Sequence, residues 1–140
     1  MGRINYGRVV LGGVVAGVVF LLMDFLGMHI VPFDWMAWAA ERGLTMPPVA
    51  TWIVMDIVIG ILAVWLYAAI RPRFGAGVKT AVMAGVWVWL FFSVIQWAPT
   101  AMGLWPMSAY WAMAAWGLVQ TVVAVVAGAW VYREEGGTTM

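Results

Sequence analysis

Two carboxylates and two amides interrupt the apolar stretches of this chain: Asp24, Asp56, Gln96 and Gln120, with Ser93 and Thr121 beside them. Asp24 lies in FLLMDFLGMHIV (20–31), which also carries the single histidine, His29. An ionisable side chain in apolar surroundings is costly, so it is either satisfied by neighbours or used to bind and move an ion. Carboxylates with amides at hand suit a proton or a small cation. A hydrolase or transferase would need a nucleophile paired with a base, and the sequence offers no such pair.

Soft-metal chemistry has thin support. Met28 and His29 are the candidates, since thioether and imidazole suit Cu(I), and eight of the eleven methionines map to the same half of the chain's spans. One histidine without cysteine is a poor ligand set, and methionine is ordinary core filler. No metal and no cofactor is expected. His29 reads instead as an interfacial side chain, turned well away from Asp24.

The elements that carry these residues follow from composition. Of 140 residues, 66% are hydrophobic and 9% charged, against roughly 25% charged in soluble domains. Mean hydropathy is +0.98. An integral membrane protein is expected, as one transmembrane domain covering 1–140. The net charge of +1 argues against a nucleic-acid partner. With no cysteine, disulfides, thiolate metal sites and thiol catalysis are all excluded.

A membrane-spanning helix needs about 20 mostly apolar residues. Four stretches qualify, at about 9–31, 49–70, 80–98 and 108–132, giving an all-α four-helix bundle. Arg3, Arg8, Arg71, Arg73, Lys79 and Arg133 fall on one side of it and only Arg42 on the other. The positive-inside rule then puts both termini and the 71–79 loop in the cytoplasm. RPRFGAG (71–77) reads as a tight turn on Pro72, Gly75 and Gly77, and APTAMGLWP (98–106) as a second. In the first outer loop, Asp34 can cap a short interfacial helix carrying Trp35, Trp38 and Ala39 and ended by Gly43. The tryptophans read as two aromatic belts.

Depth can be counted from the basic residues at 1.5 Å per residue. Asp24, Asp56, Gln96 and Gln120 lie roughly 24, 22, 25 and 20 Å above Arg8, Arg71, Lys79 and Arg133. One polar side chain per helix thus reaches nearly the same level. Small residues share their stripes: Gly13 and Gly17 with Asp24, Gly60 with Asp56, Gly85 with Ser93 and Gln96, Ala124 with Gln120. Small residues mark close helix approach, so the polar set should face inward. No lysine or arginine sits at that depth, so the two carboxylates are expected to hold or share a proton. Two readings of this layer stand side by side: an interhelical clamp, and a proton- or cation-responsive site.

The hairpins echo each other. VVAGVV (14–19) resembles VMAGVW (82–87), and WLYAAIR (65–71) resembles WVYR (130–133). Two-helix units repeated in one orientation imply a symmetry axis along the membrane normal.

The segments RVVLGGVVAGVV, WLYAAIRPRFGAGVKTAVMAGVWVW and WGLVQTVVAVVAGAWVYRE resemble a group of small uncharacterised bacterial four-span inner-membrane proteins. The likeness covers spans one, three and four and the 71–79 loop, with residues 65–75 the most specific part. It implies a bacterial inner membrane and the four-span fold, and it implies no activity. Polar residues near Asp24 and Gln120 belong to the group's pattern, whereas its second span is less polar, which leaves Asp56 as a feature of this chain. Small multidrug exporters fit less well, because their membrane glutamate comes early in the first span.

The functional expectation is a non-enzymatic binding or transport bundle centred on Asp24, Asp56, Gln96, Gln120 and Ser93. The alternative is a structural or accessory subunit of a larger membrane complex. A bundle this small has little room for a cavity, so transport would call for a homo-oligomer.

Overall fold

The computed structural model describes residues 3–133. Its elements are α1 (Tyr6–Ile30), α2 (Trp35–Glu41), α3 (Val49–Phe74), α4 (Val78–Ala101) and α5 (Met107–Val131). All but α2 are long and apolar enough to cross a membrane. Their ends follow local chemistry. Asn5 caps α1 by accepting from Arg8 N (3.0 Å). Asp34 caps α2 by accepting from Met36 N (3.0 Å) and Ala37 N (2.9 Å). Gly43 closes α2 at φ +63° and Gly103 the turn after α4 at φ +79°, a region that favours glycine.

Both proline turns are shorter than expected. Helix α3 runs through Pro72 to Phe74, and α4 through Pro99 to Ala101. Each proline falls in a final helical turn, and the chain bends only afterwards, at Gly75–Gly77 and Gly103. Thr80 Oγ1 donates to the Gly75 carbonyl (2.7 Å) and ties the first turn to the helix that follows.

Short connections make successive long helices antiparallel neighbours. Helix α1 packs on α3 and α5, and α4 on α5 and α3, while α1 and α4 lie on opposite corners without contact. Glycine sets the closest approach. A Cβ on Gly17 would sit 2.7 Å from Ile57 Cα and 2.9 Å from the Asp56 carbonyl oxygen, and one on Gly60 would sit 2.5 Å from Gly17 N. Helices α1 and α3 therefore touch backbone to backbone, where dispersion contacts are densest.

The sealed core lies at the end that carries the termini. Ala16, Ala63, Val64, Tyr67, Ala68, Ala81, Ala84, Val125, Ala129 and Tyr132 are all within 1% of complete burial. Tyr67 and Tyr132 meet edge to face at 5.9 Å. Their hydroxyls accept from Gly77 N (3.3 Å) and Asn5 N (3.4 Å), joining the 75–77 turn and the start of α1 to one plug. Arg71, expected merely to flank a span, is buried here at 6% exposure, its guanidinium 5.6 Å from the centre of the Tyr132 ring. The six basic residues gather at this end and Arg42 at the other.

The two hairpins also repeat one packing. The match of VVAGVV with VMAGVW equates Gly17 with Gly85, and that of WLY with WVY equates Tyr67 with Tyr132. A Cβ on Gly85 would meet Val122 Cα at 2.8 Å and the Thr121 carbonyl at 3.1 Å. The offset that joins the tyrosines joins Asp56 to Thr121 and Ile57 to Val122, so Gly17 and Gly85 make the same contact in the two halves. By the same offsets the counterpart of Asp24 is Phe92 and that of Gln120 is Met55. The carboxylates thus occupy one seam of a repeated scaffold.

At the far end α2 rests on the turn between α4 and α5. Trp38 Nε1 donates to the Leu104 carbonyl (2.9 Å), and Trp35 and Trp38 each meet Trp105 at 6.0 Å.

Candidate functional site

Three of the sequence-selected residues come together. Gln120 Nε2 on α5 donates to Asp24 Oδ1 on α1 (2.5 Å) and to the Phe20 carbonyl (3.3 Å). Asp56 on α3 lies within hydrogen-bonding and Coulombic reach of Asp24. It is 7% exposed, and its Oδ2 has no hydrogen-bond partner among the described residues. Gly17 brings this about: about two helical turns below Asp24 on the same stripe, it lets α1 settle against the Asp56 carbonyl.

Ser93 and Gln96 sit apart from this group. Among the described residues their hydrogen bonds run through backbone carbonyls, Ser93 O accepting from the Tyr110 hydroxyl (3.1 Å) and Gln96 O from Thr100 Oγ1 (2.6 Å). Both lie on α4, the one long helix that does not touch α1. The expected four-helix layer is therefore a three-helix constellation. His29 is likewise separate. It is exposed, its Nδ1 donates to the Phe25 carbonyl (3.0 Å), and its ring lies 5.2 Å from that of Phe25. Met28 is 62% exposed on the wall of a groove of about 540 Å³ under Pro32 and Trp35, which holds neither Asp24 nor Asp56.

Sequence reasoning missed Trp116. One turn from Gln120 on α5, its Nε1 donates to the Met23 carbonyl of α1 (3.1 Å). Gly27 makes the space, since a Cβ there would lie 2.6 Å from that nitrogen. Gln120 and Trp116 thus grip the α1 backbone at two carbonyls, those of Phe20 and Met23, just ahead of Asp24. The available signal was the four-residue spacing of two donors on one helix face.

The donor set is hard: two carboxylates, the Phe20 carbonyl and the amide of Gln120. Such oxygens suit a proton or a hard cation and not a thioether-seeking metal. Two facing carboxylates bond each other only with a proton between them, because the ionised group accepts and does not donate. Among the described residues, no three His, Cys, Asp or Glu side chains converge as a metal cluster. The chain matches no family model, no curated protein and no solved structure.

Proposed function

We propose that this is a multi-pass protein of a bacterial inner membrane, both termini cytoplasmic, whose Asp24–Asp56–Gln120 constellation binds a proton or a small cation and responds to it. The buried Asp56 side chain carries the reading, because it lies beside another carboxylate and its Oδ2 lacks a donor. A group of that kind is stabilised by a shared proton or by a cation seated against both residues. The uneven distribution of charge supports it: where α1 and α3 carry Asp24 and Asp56, the equivalent positions of α4 and α5 carry Phe92 and Thr121, and Gly85 makes its close contact there without a carboxylate.

Thermal unfolding of the purified protein in detergent, across pH and with added cations, tests this. If the folded state holds a proton that the unfolded chain releases, stability falls as the pH rises. The wild-type midpoint should then drop in alkali and recover when a cation takes the proton's place. The Asp24→Asn, Asp56→Asn double variant should show neither effect. A wild-type profile that is flat, or equal to that of the double variant, would sink the reading.

The second reading, a structural or accessory subunit in which the layer is a clamp, is favoured by the bonds from Gln120 and Trp116 onto the α1 backbone. Recovery from membranes in stable association with a larger complex would support it.

A further inference from the structure

The first seven residues of α3, Val49 to Met55, are exposed whichever way they point, Trp52 at 41% and Ile53 at 42% included. A helix packed in a bundle buries one stripe, and α3 does so only from Asp56 inward, with Gly60, Ala63, Val64 and Tyr67. On the facing walls, Asp24 of α1 is exposed and Gln120 of α5 half-buried. Meanwhile α1, α4 and α5 stay joined at this level through Trp116 to Met23 and Trp89 Nε1 to the Ala114 carbonyl (2.7 Å). At this level α3 thus buries no stripe at all, and Asp56 is its first buried residue, about 10 Å below the start of the helix. Beneath Asp56 the way is shut by the Gly17–Gly60 contact and then by the sealed core down to Tyr67 and Tyr132.

We infer that the carboxylate pair is the floor of a water-filled crevice loaded only from the end opposite the termini, and that the glycine-sealed half below it is a closed barrier. This rests on the proton- or cation-binding reading and adds where the ion comes from. Among the described residues, the one other titratable group facing Asp56 is Asp24. Helix α5 contributes the uncharged Gln120 and Thr121 there, and α4 has no titratable residue beyond Lys79.

The chain has no cysteine, so single cysteines report access directly. Asp56→Cys, Ile53→Cys and Ala63→Cys are reconstituted separately in vesicles, with orientation assigned from a tag on the N-terminus. A membrane-impermeant cationic thiosulfonate is then added to one face at a time. Only a thiolate reacts, which requires water at the site. Complete labelling at positions 53 and 56 from the face opposite the termini, and loss of labelling from the other face and at position 63, is expected. Labelling from the terminal face would overturn the inference, and so would protection of position 53 from both faces. Position 53 decides the matter if the Asp56 variant fails to fold. One-sided labelling combined with a pH- and cation-insensitive midpoint would leave the crevice standing and remove the ion-binding reading.

Discussion

Gly60→Leu is expected to part α1 from α3. There is no room at Gly60 for even a Cβ, which would sit 2.5 Å from Gly17 N and against the Gly13 backbone. Backbone atoms cannot swing aside as a long side chain can, so the helices must separate. Overpacking of this kind costs about 2–3 kcal/mol. The effect reaches the carboxylates, because the surface of α3 that Gly17 rests on includes the Asp56 carbonyl. A lower unfolding midpoint and a weakened pH response should appear together. Gly117→Ala is the control: its Cβ makes an ordinary 3.7 Å contact and alanine favours helix, so stability should hold or rise. Equal behaviour of the two variants would contradict the close α1–α3 contact.

Gln120→Glu should produce the second large effect, with almost no change of shape. The amide nitrogen of Gln120 now donates to Asp24 and to the Phe20 carbonyl. An ionised glutamate donates nothing and adds a third negative group to the pair. Losing the donor while placing a further negative charge beside the pair costs about 1–3 kcal/mol. The sign with pH is definite. The folded state favours the protonated glutamate, which can donate its O–H to Asp24, while the unfolded chain ionises freely. Stability is therefore retained in acid and lost as the pH rises. Gln120→Leu lacks the new charge, so it should lose about 1–2 kcal/mol at every pH. Equilibrium unfolding in detergent, followed across pH, separates the two. A glutamate variant that tracks the wild type would show that Gln120 does not hold the carboxylate.

Much of this architecture is legible in the sequence. The long apolar runs place α1, α3, α4 and α5, and Asp34 and Gly43 bracket α2, because span length and capping are local matters. The stripes of Gly13, Gly17 and Gly60 point to the seam they form. Depth counting brings Asp24, Asp56 and Gln120 to one level, and the structure joins them. It fails for Gln96 and Ser93, because equal depth says nothing of which helices are diagonal. The proline-containing ends of α3 and α4 were hidden, since proline marks a probable helix boundary and tolerates a last turn. Arg71 reads as a flanking charge, and its burial over Tyr132 depends on a residue far along the chain. The exposure of the first turns of α3 was hidden too: VATWIVM has no polar stripe and does not say which of its faces meets protein.

On the proposed reading, Asp24 and Asp56 share a proton that alkali or a cation removes. Infrared spectroscopy of the reconstituted protein, with isotope-labelled aspartate, observes that proton directly. The account predicts a carbonyl band of protonated aspartic acid in the wild type, disappearing on titration with alkali or cation and missing from the Asp24→Asn, Asp56→Asn variant. A wild type with no such band at any pH where it is folded, or a band that persists in the double variant, would contradict it.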